Sequence, residues 1–288
     1  MLSVIIPCGS GVEMLVEQLE ALERSTYGEP WEVIVVDNGL SRSEQVGDRL
    51  DRFHDTLPGF RVVAAHDKQG AGYARNVGVA HSHGDNLAFV DADDVVDVGW
   101  LAAMGAALDR HTVVVSRWDI DRLNDPSVRA TRRNGQADGL RRYTHPHFLD
   151  HAGGCGLGMR RAAFDDVGGF DEQFRLLEDT DLSWRLQLAG HTLTFVPDAL
   201  VHIRFRPTSK GSFRQAFGYG KYNVLLYKTY RGRGMPRLTL KSSLKSIGAV
   251  VGNSIQLIDP KSRNKFLRTV GFQLGRIGGS IAYVVWGI

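Results

Sequence analysis

Four carboxylates crowd one short stretch, FVDADDVVD at residues 89–97. Asp91, Asp93, Asp94 and Asp97 follow directly on an apolar run. Like charges this close repel and raise one another's pKa. Either the segment is a solvated acidic turn that caps the next helix, or a cation offsets it. An Asp-x-Asp pair at a strand end presents the hard oxygen ligands that Mg²⁺ and Mn²⁺ take, and such an ion would in turn bridge a diphosphate. A second acidic group, EDTD, gathers Glu178, Asp179 and Asp181 at the start of a helical pattern. Acids there complement the helix dipole, so Asp179 reads either as an N-cap or as a carboxylate placed to act as general base. His202, in ALVHIRF, falls near the end of the last strand. A lone histidine is more often structural, but beside an ion it is a ligand.

The surrounding pattern says what must position these groups. SVIIP (3–7), WEVIVVD (31–37), FRVVAA (60–65) and NLAFVD (86–91) read as buried strands. Helical periods lie between them at 12–24, 42–54 and 72–81, so the alternation predicts a parallel sheet with helices on both faces. Ligands of such sheets bind beyond the carboxyl ends of the strands. Asp37, Asp67 and Asp91 all sit at or just past such ends, which favours a site over a bare turn. A helix at 97–109 and a strand TVVVSRW (112–118) follow. Residues 119–151 lose periodicity and read as a long loop, a lid or acceptor-side insertion. GGCGLGMR (153–160) reads as a glycine-rich strand. A turn-rich link, a helix at 179–190, strands TLTFV and ALVHIRF, and a helix at 210–230 come next. The tail 236–288 reads as two basic amphipathic helices split near Asp259–Pro260.

Composition bounds the class. The 288 residues suit one large domain or one domain with an appendage. Two cysteines, Cys8 and Cys155, make no metal spacing and suggest a reduced, cytoplasmic setting. The apolar start stops at Pro7, unlike a signal peptide, and no run reaches the roughly 18 apolar residues of a spanning helix. The net charge of +3 hides a polarity: residues 203–288 carry 16 Lys and Arg against one acid, Asp259, so the body is acidic and the tail basic. A basic tail meets something anionic, a membrane surface or a nucleic acid. No RNA-binding motif is present, and aromatic, Trp-containing amphipathic helices point to the membrane interface. Packing on the body or a homodimer contact is the plainer alternative. The two GxG pairs (Gly9/Gly11, Gly70/Gly72) do not fit a dinucleotide fingerprint, and HPHFLDH (145–151) matches no zinc spacing.

Taken in order, SVIIP, VIVVDNG (33–39), GYARNVG (72–78), FVDADD (89–94), GGFDEQF (168–174) and EDTDLSWRL (178–186) make residues 1–205 closely resemble the family 2 inverting glycosyltransferases. The resemblance implies an α/β GT-A fold, a Rossmann-like, mostly parallel sheet flanked by helices, with 206–288 as a helical appendage. It implies a nucleotide-sugar donor, UDP favoured, a saccharide or lipid-linked acceptor, and Mn²⁺ or Mg²⁺. By position, Pro7 and Asp37 would line the base pocket, and Arg75 would help hold base or diphosphate. Asp91 would contact the ribose or nucleotide, with Glu178 in the same binding set. Asp93 would bind the metal, joined by His202, and Asp179 would be the base. Two departures, Cys8-Gly9-Ser10 after Pro7 and DNGL in place of DDGS, touch the nucleotide pocket and leave the base identity open. A nucleotidyltransferase on a related fold would want a basic residue in PCGSGVEM, which has none. A catalytically dead scaffold would have lost the acids, which are all here.

Overall fold

The computed structural model describes residues 1–40, 46–130, 132–144, 146–205, 209–238, 248 and 260–285. The chain folds as two compact units. The first comprises Met1–Leu123, Asn134–Arg141 and Asp150–Arg204. The second comprises Asn124–Arg133, Arg142–Leu149 and Phe205–Ile288.

The first unit is built on one eight-stranded sheet. In chain order the strands are β1 (Leu2–Cys8), β2 (Trp31–Asp37), β3 (Arg61–Ala64), β4 (Asn86–Phe89), β5 (Val95–Val96), β6 (Val113–Asp119), β7 (Leu157–Arg160) and β8 (Leu193–His202). Across the sheet they run β3-β2-β1-β4-β7-β6-β8-β5. Neighbours from β3 to β4 are parallel, β7 is antiparallel to both β4 and β6, and β8 lies parallel to β6. Thus β1, β2, β4, β6 and β8 all end at one edge. The continuous apolar runs of β1 and β2 are buried because helices cover both faces.

The helices of this unit include α1 (Val12–Glu23), α2 (Val46–Asp51), α3 (Phe53–Thr56), α4 (Ala71–Ala80) and α5 (Trp100–Leu108). Gly78 lets α4 lie directly on the sheet, since a Cβ there would press on the Ile5 and Val36 side chains. In the second unit a short helix α6 (Pro126–Arg129) falls within the long loop. The first unit then adds α7 (Arg161–Asp166) and α8 (Glu178–Leu188).

Three local expectations change. FRVVAA is an edge strand, paired on one side only among the described residues, and its alternate residues are open, Val62 being 42% exposed, because one of its faces meets solvent. TLTFV and ALVHIRF form one strand, β8, whose register against β6 shifts after Ser116 to absorb Pro197, Asp198 and Ala199. The two-residue β5, too short to show a period, pairs antiparallel with the end of β8.

The second unit contains α9 (Ser209–Tyr230) and α10 (Pro260–Ala282), packed along each other. Glycines set their closeness: a Cβ at Gly220 would strike the Phe272 carbonyl, and one at Gly275 the Phe217 carbonyl. Loop segments join this unit. Phe205 N–H donates to Asn124 Oδ1 at 2.7 Å, and the Asn223 amide bonds the Tyr143 hydroxyl. The first of the two expected tail helices falls mostly outside the described residues.

Candidate active site

The strand ends gather the acids at one edge of the sheet. Asp37 closes β2, where its Oδ1 accepts the N–H groups of Gly39 (2.9 Å) and Leu40 (2.6 Å). Its Oδ2 lies 3.1 Å from His66 Nε2. Pro7 sits beside it on β1, paired in register with Val36. Asn38, the residue standing where the second acid of the DDGS form would be, has a local reason. Its amide nitrogen donates to the carbonyls of Ala65 and Lys68, and its Oδ1 accepts the Gly70 N–H at 3.0 Å. An aspartate has no proton to donate to those carbonyls, so Asn38 ties the end of β2 to the mouth of α4.

Arg75, on α4, is 2% exposed and lies between two motifs. Its Nη2 donates to Asp91 Oδ1 at 2.6 Å and its Nη1 to Glu178 Oε1 at 2.8 Å. The guanidinium lies over the Phe170 ring and leaves no room for a side chain at Gly154, where a Cβ would fall 2.7 Å from Nη2. That explains part of the glycine-rich GGCG segment. The Arg75 ion pairs hold its charge firmly. Glu178 is nevertheless pushed up to about 7, by burial first and then by Asp179, against the pull of Arg75.

Asp179 is half-buried in the first turn of α8, and both of its oxygens are engaged. Oδ1 accepts the Thr180 N–H at 2.7 Å and Oδ2 the Gly154 N–H at 3.0 Å. It is therefore not the N-cap. That position belongs to Leu177, which sits at φ 64° in the left-handed region. A branched residue held there costs about 1–3 kcal/mol, strain of a kind that clusters at functional sites. Sequence reasoning missed the support behind Asp179. Thr180 Oγ1 lies 3.1 Å from Nδ1 of the buried His151, whose pKa burial pushes down to about 4.

The DADD segment divides its labour. Asp94 is the buried member, taking the Arg204 N–H on Oδ1 at 2.7 Å. Burial and then the charges of Asp93 and Asp91 push its pKa well up. Asp93 is half-exposed, and its backbone carbonyl accepts Arg204 Nε at 2.9 Å. His202 ends β8 with Nδ1 2.7 Å from Asp119 Oδ2 and Nε2 3.6 Å from Asp97 Oδ2. The structure thus joins Asp91, Arg75 and Glu178 by direct bonds, and links the Asp93 loop to the His202 strand through Arg204. Pro7 and Asp37 occupy the neighbouring strand ends.

These residues fit a divalent cation. His202 Nε2 is buried with no hydrogen-bond partner among the described residues, and carboxylates stand on the adjoining loop. Asp91, Asp94 and Cys155 also bring one ligand atom each within 4.8 Å of one another. That set suits a hard ion less well: Asp94 is bonded to Arg204, and burial keeps the Cys155 thiol protonated.

Comparison with known proteins agrees with this architecture. The family model described as "Glycosyl transferase family 2" matches residues 3–168, and "Glycosyl transferase family group 2" matches 141–258. The pre-mycofactocin glycosyltransferase of Mycobacterium tuberculosis is 31% identical over 208 residues, covering 69% of this chain. The chain spans 42% of that relative's length. Among solved structures, mannosyltransferase PcManGT from Pyrobaculum calidifontis in complex with GDP-Man and Mn²⁺ aligns with TM-score 0.62 at 15% identity, covering 96% of this chain and 86% of that one. S. aureus TarS 1–349 in complex with UDP-GlcNAc aligns with TM-score 0.55 at 15% identity, covering 99% and 92%. Those two likenesses speak for the GT-A fold. With a family match over more than half its length, the chain belongs to glycosyl transferase family 2.

Proposed function

We propose that the chain transfers a sugar, with inversion, from a nucleoside-diphosphate donor to a hydroxyl of a saccharide or lipid-linked saccharide. UDP is the favoured nucleotide, and Mn²⁺ or Mg²⁺ the cofactor. One observation carries this reading. Asp179 is held at the mouth of α8 by two backbone N–H groups, one residue from the Glu178–Arg75–Asp91 chain that leads to the DADD loop. A carboxylate whose oxygens both accept N–H donors is fixed in direction and can still take a proton.

In the reaction, the acceptor oxygen attacks the anomeric carbon from the face opposite the diphosphate. Its proton passes to Asp179, and the bond to the diphosphate oxygen breaks with its electron pair on that oxygen. Asp93 and His202 would hold the cation, whose chemistry when bound is Lewis-acid neutralisation of the departing diphosphate. Pro7 and Asp37 border the base. Arg75, spent on two protein carboxylates, acts by holding Asp91 and Glu178 in place. We expect Asp179→Asn to lower turnover by roughly 10²–10⁴-fold while UDP affinity stays within about threefold. Turnover and calorimetric binding on the same preparations check this, and near-normal turnover would remove the base assignment. Release of pyrophosphate from a nucleoside triphosphate would instead favour the nucleotidyltransferase reading. A fold that binds nucleotide sugars without turning them over would favour the scaffold.

The second unit supports a site of action at an anionic membrane surface, on its cytoplasmic face. No described helix is long and apolar enough to cross a membrane. Instead α10 and the turn after it expose Leu274, Ile277, Ile281 and Val284 at 45, 39, 76 and 89%. Their spacing makes one stripe, with Gly275 and Gly279 turned toward α9. The tail around the stripe carries a charge of about +15 (16 cations, one acid), which repels a second copy and attracts anionic headgroups. Vesicles with about 30% anionic lipid should pellet the protein, neutral vesicles much less, and Ile277→Asp/Ile281→Asp not at all. A dimer in light scattering, lost in the double variant without any vesicle binding, would assign the stripe to self-association.

A further inference from the structure

Asp97 and Asp119 are the two acids around His202 to which the proposed reaction gives no role. Asp119 ends β6, directly opposite His202 in the β6–β8 register, and Asp97 follows β5, which pairs with the same end of β8 from the other side. The Asp97 N–H extends that ladder by donating to the Leu200 carbonyl at 3.0 Å. His202 therefore stands between two carboxylates fixed by the sheet itself.

The hydrogen bonding decides what each carboxylate does. Asp119 Oδ2 lies 2.7 Å from Nδ1, and an ionised carboxylate only accepts, so Nδ1 carries the proton. Asp119 is held in turn by the N–H groups of Asp121 (3.1 Å) and Arg122 (3.2 Å), which fix its direction. Nε2, the other ring nitrogen, points toward Asp97. It is buried in a residue only 7% exposed and has no hydrogen-bond partner among the described residues. Asp97 Oδ2 faces it from 3.6 Å, too far for a hydrogen bond. A carboxylate facing a ring nitrogen at this distance favours a positive charge between them. Two ligand atoms each about 2.1 Å from one ion lie roughly 3.0–3.6 Å apart, which is this spacing.

We propose that Asp97 is a direct ligand of the same divalent cation as His202, and that Asp119 is the positioning residue that aims Nε2 at it. A nitrogen donor among carboxylates also sets a preference. Imidazole suits transition metals, so the site takes Mn²⁺ over Ca²⁺.

The inference rests on the cation-clamp reading, and the test separates the two. Mn²⁺ affinity is measured by electron paramagnetic resonance on the full chain with saturating UDP, without turnover, together with thermal melting and UDP affinity in EDTA. Asp97→Asn should weaken Mn²⁺ by roughly 10-fold or more, and Asp119→Ala by roughly 10–100-fold, as for other outer partners of ligand histidines. Melting temperature and metal-free UDP affinity should stay near wild type in Asp97→Asn, which a merely structural carboxylate would not predict alongside lost Mn²⁺ affinity. If Asp119→Ala misfolds, Asp97→Asn still decides, because its side chain is 39% exposed. Mn²⁺ affinity within twofold of wild type in Asp97→Asn, while Asp93→Asn loses it, overturns the ligand assignment and leaves the clamp standing. A wild-type chain that binds no Mn²⁺ overturns both.

Discussion

The two halves of the sheet deal with negative charge in opposite ways. On the β1–β4 side the buried and half-buried acids of the site meet donors inside the protein. Asp37 has the amides of Gly39 and Leu40, and Asp91 and Glu178 share Arg75. On the β5–β6–β8 side Asp119 is matched by His202, yet the outer nitrogen of that ring faces another acceptor, Asp97, across 3.6 Å. One half carries its cation as a side chain, and the other is where we propose that an ion binds. The crowding of acids at 89–97 is therefore two problems. Asp91 is neutralised from within, Asp94 is buried and driven toward its protonated form, and Asp93 and Asp97 are the two acids we propose as ligands of an ion.

The strongest way to break this contrast is to remove the internal cation. Arg75→Met keeps volume and burial but leaves Glu178 buried opposite nothing and Asp91 short of a partner. Breaking a buried pair from one side typically costs about 3–5 kcal/mol, and urea unfolding should show a loss of that size. Adding Glu178→Gln removes the stranded carboxyl group and should return about 1 kcal/mol or more. A loss below about 1 kcal/mol for Arg75→Met would mean that water already solvates these acids, and the two halves would not differ in kind.

The sequence made much of this legible, for definite reasons. Continuous β-branched runs in β1 and β2 and the 3.6-residue period of α1 are strong local signals, so the strands and their common edge were readable. So were the acids at that edge, because Asp37, Asp91 and Asp93 sit at strand ends. What stayed hidden depends on pairing between distant segments. Nothing local says that Arg75 bridges residues 16 and 103 positions away, or that two residues at Val95–Val96 form a strand. The unbroken lettering of 119–151 also hid that its parts belong to different units. Asn38 looked like a departure only because its three partners, the carbonyls of Ala65 and Lys68 and the amide of Gly70, are far along the chain.

A smaller effect sharpens the claim that the β1–β4 half satisfies its acids internally. Glu32 begins β2, at the sheet end away from the site, and is 3% exposed. Burial alone would raise its pKa. Instead the Ser3 hydroxyl (2.6 Å), the His83 N–H (2.6 Å) and Arg61 (2.7 Å) together hold it down to about 2. Because the folded value lies below the unfolded one of 4.5, its stabilisation is complete above about pH 4.5. It is lost as pH falls through about 2. The difference is worth roughly 3 kcal/mol at 1.36 kcal/mol per pKa unit. Unfolding free energies across pH 2–5 should fall less steeply for Glu32→Gln than for wild type, by up to one proton's slope, with turnover at neutral pH unaffected in the folded fraction. Parallel curves for the two proteins would show that donors around a buried acid at this end do not hold its charge, and the internal matching would then be confined to the Arg75 cluster.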